Sequence, residues 1–146
     1  MKALIQRVSQ ASVDIDNRRV AEIGPGLLAL IGVAPTDDMA VQDKLLRKML
    51  DCRIFPDSQG RMNLSLGDIE GGLLLVPNFT LMANTRKGTR PSFASAATPA
   101  QARQRFESLC DQAREQCVRF GCGEFGADMQ VGLINDGPVT FWLQVR

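Results

Sequence analysis

Asn135-Asp136-Gly137-Pro138-Val139-Thr140-Phe141 separates two segments in which apolar and polar residues largely alternate. Alternation with a period of two is typical of β-strands, so the sequence predicts two strands joined by a turn. Gly137 tolerates backbone dihedrals that other residues avoid, and Pro138 fixes its own φ and has no N–H to donate. Because Asp-Gly and Gly-Pro are also common in plain hairpins, the stretch alone leaves a simple turn and a ligand-binding feature both open.

Length and composition predict one globular domain, residues 1–146, with a core that needs no metal or disulfide. Hydrophobic residues make up 45% of the chain and charged residues 23%, which is ordinary for a globular protein. The net charge is +1, so a polyanionic partner has to be held by a local patch. The longest apolar run, residues 26 to 35, is shorter than the about 20 residues of a membrane span, and the first residues do not resemble a signal peptide. We therefore predict a cytoplasmic protein without a membrane partner.

The chain has no histidine and four cysteines, Cys52, Cys110, Cys117 and Cys122. The lack of histidine excludes Ser-His-Asp and Cys-His catalysis and the usual imidazole metal sites. Cys110 and Cys117 are placed two turns apart on a predicted helix, too far for a disulfide bridge. The sequence therefore predicts reduced thiols, as in cytosolic proteins, and neither a metal nor another cofactor.

The predicted elements run in the order strands, helix, strands, helix, strands. A first helix follows Pro35, with Thr36 or Asp37 as its cap. A second begins at the capping box Thr98-Pro99-Ala100-Gln101 and ends at Gly121 and Gly123. Strands are predicted at residues 4–15 (one or two strands), 20–23, 27–33, 53–55 and 73–76. This order predicts an α+β domain with a mixed or antiparallel sheet and two main helices.

A second segment of interest is Pro77-Asn78-Phe79-Thr80-Leu81, at the end of a buried strand. Thr80 lies where that strand meets a loop, a frequent place for functional residues. The loop that follows carries a cluster of cations suited to phosphate, Arg86, Lys87 and Arg90. Taken singly, each feature is also typical of a solvated loop.

Together, these segments resemble the D-aminoacyl-tRNA deacylases over essentially the whole chain. The motifs that carry the resemblance are Ala3-Leu4-Ile5-Gln6-Arg7-Val8, Arg53-Ile54-Phe55, Phe79-Thr80-Leu81, Arg90-Pro91-Ser92-Phe93, Phe125-Gly126-Ala127-Asp128-Met129 and Asn135-Asp136-Gly137-Pro138-Val139-Thr140. The resemblance implies a barrel-like fold and a homodimeric enzyme that hydrolyses the ester between a D-amino acid and the terminal adenosine of tRNA. It also implies removal of glycine mischarged on tRNA(Ala), as translation quality control, and no DNA partner.

The resemblance further implies a role for each candidate residue. Gly137-Pro138 forms a cis peptide that enters the active site of the partner subunit, where its carbonyls exclude an L side chain and let glycine pass. Phe79 and Thr80 are the implied catalytic residues. Asn78, Ala127, Met129 and Asn135 complete the implied substrate-binding filter. Arg7 joins Arg86, Lys87 and Arg90 as an implied tRNA contact.

One departure from the family pattern stands next to Thr80. The family usually has Ser-Gln before Phe-Thr-Leu, and this chain has Pro77-Asn78. Proline offers no N–H, and asparagine is one methylene shorter than glutamine. A related branch with looser chiral selection also has proline there but departs around the Gly-Pro motif, which is intact here. The main branch is therefore favoured.

Two mechanisms and one rival function stay open on the sequence. Thr80 acts as a nucleophile only if a base activates its hydroxyl, and the chain has no histidine for that task. Alternatively, the 2′-hydroxyl of the terminal adenosine assists an attacking water while protein amides hold the oxyanion, which the missing histidine favours. The rival is a non-catalytic RNA-binding module, which would use the cationic cluster and need no Gly137-Pro138 filter.

Overall fold

The computed structural model describes residues 1–86 and 88–146. In that part of the chain the elements are β1 (Lys2–Ile15), β2 (Arg18–Ile23), β3 (Gly26–Gly32), α1 (Met39–Leu50), β4 (Phe55–Pro56), β5 (Met62–Leu64), β6 (Gly72–Pro77), a 3₁₀ turn (Phe79–Met82), α2 (Pro99–Gln116), β7 (Arg119–Cys122) and β8 (Gln130–Gln144). The predicted α+β class with two main helices is confirmed.

The sheet is organised around β1. Its first half pairs with β3 and its second half with β2, while β8 follows its other edge, all antiparallel. β3 pairs with β6 and β6 with β7 in parallel, and the helices α1 and α2 lie in the two crossovers, as parallel neighbours require. Because β2 also contacts β7, the mixed sheet is nearly closed, and the barrel-like architecture is confirmed. β4 and β5 form a separate hairpin.

The main core lies between the sheet and the two helices. The parallel strands β3 and β6 are buried on both faces, as expected for strands in the middle of a covered sheet. The helices close one side with Leu45, Leu46 and Met49 from α1 and with Ala102, Phe106 and Leu109 from α2. A smaller cluster fills the other face of the sheet with Val8, Ala11, Val13, Ile23, Leu28, Leu74 and Val76. The ends of β6 and α2 that bear the candidate site are thereby held on a rigid frame.

The cap of α1 differs from the prediction. Asp38 is the N-cap, and its carboxylate accepts the Val41 N–H at 2.9 Å. Asp37 is engaged elsewhere, since its carboxylate accepts the Ala34 N–H at 2.7 Å and binds the Met1 amino group at 2.5 Å. The prediction named Thr36 or Asp37, and the tertiary ion pair of Asp37 with the Met1 amino group leaves the cap to Asp38.

The end of α2 also differs from the prediction. Its predicted capping box is present at Thr98 and Gln101, but the helix ends at Gln116 with Cys117 as C-cap. Residues 119–122 form β7 instead, because the parallel edge of β6 offers them backbone partners. Gly121 therefore has a packing role, since a Cβ there would lie 3.2 Å from the Ala21 Cβ.

The two strands predicted around Gly137-Pro138 do not form a hairpin. They are the two halves of β8, and both pair with β1. Gln6 is opposite Thr140 and Val8 is opposite Asn135, so two steps along β1 face five steps along β8. Residues 136–139, which lie opposite the single residue Arg7, leave the ladder as a multi-residue β-bulge, here called the Gly137 bulge.

The thiols of Cys110 on α2 and Cys122 on β7 lie against each other. A hydrogen bond with Cys110 lowers the pKa of Cys122 to about 7, and the same contact together with burial raises the pKa of Cys110. Burial raises the pKa of Cys52 and of Cys117. Because the thiolate is the reactive form, these four cysteines differ in reactivity near neutral pH.

We expect iodoacetamide to alkylate Cys122 before Cys52 and Cys117. Its rate should rise between about pH 6 and pH 8, since the thiolate fraction grows as pH passes through a pKa of about 7. Peptide mapping by mass spectrometry after short exposures measures the order. Cys122→Ser is the control and should remove the fast phase, whereas faster labelling of Cys52 would contradict the assignment.

Candidate active site

A cavity of about 590 Å³ opens where β6 ends, and it is here called the Phe79 cavity. It lies between the 3₁₀ turn, the start of α2 and the segment before β8, and its lining residues are Pro77, Asn78, Phe79, Phe93, Ala96, Ala97, Pro99, Ala102, Phe125, Gly126, Ala127 and Met129. Four residues predicted for the site, Asn78, Phe79, Ala127 and Met129, are thus brought together. A mostly apolar cavity of this volume is suited to a nucleoside-sized group.

Thr80 does not itself line the Phe79 cavity but directly follows Phe79, which does, and local hydrogen bonds fix its position. The Asn78 N–H donates to the Ile31 carbonyl at 2.7 Å, which prolongs the β3–β6 ladder by one bond. The Asn78 side chain then caps the 3₁₀ turn by accepting the Thr80 N–H at 3.1 Å. Thr80 is therefore exposed on a turn whose start is anchored to a buried strand.

The Thr80 hydroxyl donates to the side-chain oxygen of Asn78. An amide oxygen accepts a hydrogen bond but has no useful basicity near neutral pH. A threonine nucleophile needs a base on its proton, and the Asn78 oxygen does not meet that need. This contact favours a positioning role for Thr80 over a nucleophilic one.

Two exposed aromatic rings stand at the mouth of the cavity. The Phe79 and Phe93 side chains are 57% and 40% exposed, and their ring centroids lie 5.0 Å apart in an edge-to-face arrangement. Aromatic side chains left open to solvent are platforms on which unpaired bases stack. Phe93 and Phe125 were not predicted as site residues, although both stand in motifs that carry the resemblance. The signal that could have identified them is an aromatic residue within a polar loop.

The basic loop, residues 84–92, is closed at its base by a two-bond bridge. The Asn84 N–H donates to the Ser92 carbonyl at 2.7 Å, and the Ser92 N–H donates back at 3.0 Å. Arg86 and Arg90 are exposed on this loop, whereas Lys87 lies outside the described residues. Because Ser92 directly precedes Phe93, which lines the Phe79 cavity, the base of this loop adjoins the cavity.

The Gly137 bulge forms a second locus that does not line the Phe79 cavity. The Gly137–Pro138 peptide bond is cis, and Gly137 has a φ of +147°. A Cβ at Gly137 would lie 2.6 Å from the Val139 Cγ2 and 2.7 Å from the Val139 N. Position 137 therefore requires glycine, and both Gly137 and Pro138 are exposed.

Arg7 and Asn135 brace the Gly137 bulge from β1 and β8. Arg7 Nε donates to the Asp136 carbonyl at 2.9 Å, and Arg7 Nη1 donates to the Ile54 carbonyl at 2.7 Å. The Asn135 side-chain amide donates to the carbonyls of Arg7 and Val139 at 2.8 and 3.0 Å. Two of these hydrogen bonds hold bulge carbonyls, those of Asp136 and Val139, and the other two anchor the bracing side chains.

These contacts give Arg7 and Asn135 a structural role that the sequence did not predict. The Arg7 side chain is only 12% exposed, and its guanidinium donates to carbonyls of the bulge and of Ile54, so within one chain it is a brace. The Asn135 amide also holds the bulge and, like Gly137 and Pro138, does not line the Phe79 cavity of its own chain. Within residues 1–86 and 88–146, no three histidine, cysteine or acidic side chains gather as metal ligands would, and each helix is too short or too polar to cross a bilayer.

The sequence is similar to those of known proteins over nearly its whole length. The family model described as D-Tyr-tRNA(Tyr) deacylase matches residues 4–144. A D-aminoacyl-tRNA deacylase of Azotobacter vinelandii is 55% identical over 144 residues, which is 99% of each chain. One of Pseudoalteromonas translucida is 57% identical over 145 residues, covering 99% of this chain and all of the relative.

Two solved structures share the fold. The c-Myc DNA unwinding element binding protein superposes with a TM-score of 0.94 at 36% identity and covers 99% of this chain and 98% of its own. A probable eukaryotic D-amino acid tRNA deacylase has a TM-score of 0.77 at 20% identity, with 97% of each chain covered, and shows the fold alone. Because the family match and the relatives span nearly the whole sequence, the chain belongs to the D-Tyr-tRNA(Tyr) deacylase family and is a hydrolase of the ester bond in D-aminoacyl-tRNA.

Proposed function

We propose that this deacylase removes D-amino acids, and glycine mischarged on tRNA(Ala), in the cytoplasm and spares L-aminoacyl-tRNA, as a step of translation quality control. The observation that carries the proposal is the Gly137 bulge, which is exposed at its tip and braced by Arg7 and Asn135 at its base. Rigid main-chain groups at the surface are suited to discriminate by exclusion, since they cannot yield to an extra side chain.

The active site is proposed to form between two copies of the chain in a homodimer. In one chain the bulge does not line the Phe79 cavity, so a second copy supplies the missing wall. β8 has apolar side chains at its surface beside the bulge: Leu133, Ile134, Phe141 and Trp142 are 37% to 52% exposed. An exposed apolar strand of this kind is typical of an interface, which supports dimerisation through β8.

The filter is proposed to work through backbone carbonyls. With Gly137 and Pro138 placed over the Phe79 cavity of the partner subunit, their carbonyls stand where the side chain of an L-amino acid would project. A D side chain points away from this wall, and glycine has no side chain to exclude. Exclusion by fixed atoms yields larger discrimination than the loss of one attractive contact.

The aminoacylated end of tRNA is proposed to enter the Phe79 cavity. The terminal adenine stacks against Phe79 and Phe93, whose rings are exposed at the mouth. The phosphates behind it lie along the basic loop and contact Arg86, Lys87 and Arg90. The near-neutral net charge of the chain makes this local patch the main electrostatic attraction for tRNA.

The hydrolysis is proposed to use water assisted by the 2′-hydroxyl of the terminal adenosine. An aminoacyl ester is already activated, so a positioned water and oxyanion donors suffice. The Phe79 backbone amide at the mouth of the cavity is assigned to the oxyanion. Thr80 takes part as a positioning group, because its proton is held by the amide oxygen of Asn78.

Deacylation of three matched substrates tests the proposal. The purified protein is given D-aminoacyl-, L-aminoacyl- and glycyl-tRNA(Ala), and the rate of ester loss is measured against the spontaneous rate. We expect enzymatic loss of the D-amino acid and of glycine and no acceleration for the L-amino acid. Binding of all three without hydrolysis would support the RNA-binding module instead, and equal hydrolysis of D and L substrates would contradict the filter.

The basic loop gives a separate prediction. Replacement of Arg86, Lys87 and Arg90 together by alanine should weaken tRNA binding. The slope of log K against log salt concentration should become shallower by about 2 to 3, since each lost phosphate contact removes about 0.7 to 0.9. Filter binding or fluorescence anisotropy at several salt concentrations measures the slope. An unchanged slope would place the RNA contact on another surface.

A structural relative at 36% identity is named for binding a DNA element. For this chain we propose no duplex DNA partner, because the net charge is +1 and the cations considered above stand on one short loop beside an apolar cavity. Anisotropy with a labelled DNA duplex under the conditions of the tRNA titration tests the difference. Affinity for the duplex equal to that for tRNA would contradict this assignment.

A further inference from the structure

We infer that Asn78 is a positioning residue for the hydrolysis: its side-chain oxygen holds the proton of the Thr80 hydroxyl, so that Thr80 presents only lone pairs to the site and orients the attacking water by accepting a hydrogen bond from it. The inference rests on the proposed function of the Phe79 cavity. It gives a role to the residue at which this chain departs from the usual family pattern.

The contacts of Asn78 make its side chain a fixed acceptor. Its backbone N–H is bound to the Ile31 carbonyl at 2.7 Å, and its Oδ1 receives both the Thr80 N–H, at 3.1 Å, and the Thr80 hydroxyl. Asn78 is half-buried and lines the cavity, whereas Thr80 is exposed and directly follows the cavity-lining Phe79. The orientation of the Thr80 hydroxyl is therefore set from the protein side.

The number of donors and acceptors on a hydroxyl determines which further hydrogen bonds Thr80 can form. Threonine Oγ1 has one proton and two lone pairs. With the proton directed to Asn78, only the lone pairs are available to a substrate or a water. A water that donates one hydrogen bond to Thr80 has its lone pairs held in a defined direction, from which one can attack the ester carbonyl. Such orientation raises the rate of hydrolysis by a large factor, and it requires no proton transfer to the protein.

The length of the side chain explains why asparagine serves here. Asparagine and aspartate reach the backbone N–H two residues ahead, which is the geometry of the Asn78–Thr80 contact. Glutamine has one more methylene and does not favour this local contact. Pro77 is the last residue of β6, and its ring fixes the φ of the backbone directly before Asn78. In this chain Asn78 thus supplies the oxygen that orients the Thr80 hydroxyl.

The test is a variant cycle on D-aminoacyl-tRNA. We expect Asn78→Ala and Asn78→Gln to lower kcat by about tenfold to a hundredfold, with KM unchanged, because the basic loop and the cavity still bind the tRNA. Asn78→Asp keeps an acceptor oxygen in place and should stay within a few-fold of the wild-type kcat. Thr80→Val should show the same loss as Asn78→Ala, and the double variant should be no slower than either single variant.

A matched control removes a similar contact elsewhere. Asp57 accepts the Gln59 N–H, two residues ahead, at 2.9 Å in the β4–β5 hairpin, and Asp57→Ala should leave kcat and KM unchanged. Melting temperatures of all variants are measured alongside, and Asn78→Gln and Asn78→Asp decide the outcome if Asn78→Ala does not fold.

Additive losses in the double variant, or a wild-type kcat for Asn78→Gln, would overturn the inference. So would a reduced kcat for Asn78→Ala together with a wild-type kcat for Thr80→Val. All of these kcat values are measured on D-aminoacyl-tRNA alone. Failure of the chiral filter, seen as hydrolysis of L-aminoacyl-tRNA by the wild type, is therefore distinguishable from failure of the Asn78 role.

Discussion

Replacement of Gly137 by alanine is expected to lower the hydrolysis of D-aminoacyl-tRNA by about a hundredfold, the loss typical of a site displaced by about 1 Å. The added Cβ would lie 2.6 Å from the Val139 Cγ2 and 2.7 Å from the Val139 N, and the φ of +147° is strained for any residue with a Cβ. The bulge has to shift, and the wall that we propose it places over the cavity of a partner subunit shifts with it. Single-turnover rates on D- and L-aminoacyl-tRNA measure the effect.

Gly60→Ala is the matched control for this variant. Gly60 also has a positive φ, of +75°, but a Cβ there meets no atom within 4 Å. It should therefore cost about 1 kcal/mol of stability through the backbone alone and leave the deacylation rate unchanged. A Gly137→Ala enzyme with the wild-type rate and the wild-type preference for D over L would remove the bulge from the proposed filter.

Replacement of Arg7 by methionine is expected to lower kcat/KM for D-aminoacyl-tRNA by about tenfold or more, because a loosely held bulge misplaces the proposed filter. The variant removes the hydrogen bonds to the Asp136 and Ile54 carbonyls and should cost about 2 kcal/mol of unfolding free energy. Methionine keeps much of the apolar stem of the side chain, so packing changes little. Chemical denaturation and deacylation kinetics measure the two effects.

Binding of tRNA separates this role from the one that the resemblance implied for Arg7. Since the Arg7 side chain is 12% exposed and occupied, Arg7→Met should keep the affinity for tRNA and its salt dependence. Arg18→Met, an exposed arginine at the start of β2, is the control for the loss of one positive charge. A shallower salt slope in Arg7→Met with an unchanged D-over-L preference would restore Arg7 as an RNA contact.

Local patterns in the sequence were sufficient for most of the secondary structure. The buried run that predicted residues 27–33 corresponds to β3, Gly26–Gly32, and the capping box at Thr98 predicted the start of α2. In both cases the deciding interactions lie within a few residues along the chain. The grouping of Asn78 and Phe79 with the basic loop could also be predicted from the sequence, because these residues are close along the chain.

The ends of helices and strands were harder to predict from the sequence, because they depend on residues that are near only in the folded structure. Asp38 caps α1 since Asp37 is taken by the Met1 amino group. The segment 119–122 became a strand since β6 had a free parallel edge beside it. In each case several local conformations were about equally compatible with the sequence, and a tertiary contact selected one of them.

The residues themselves determined that a Gly-Pro unit interrupts two alternating apolar segments and that Thr80 has no histidine partner. Only the tertiary structure decided that the two segments are one strand along β1, with Arg7 and Asn135 holding the bulge between them. The reason is the distance along the chain: Arg7 and Asp136 are 129 residues apart. Periodicity and propensity describe the chain over about ten residues, whereas the pairing of β1 with β8 depends on how the intervening sheet and helices close.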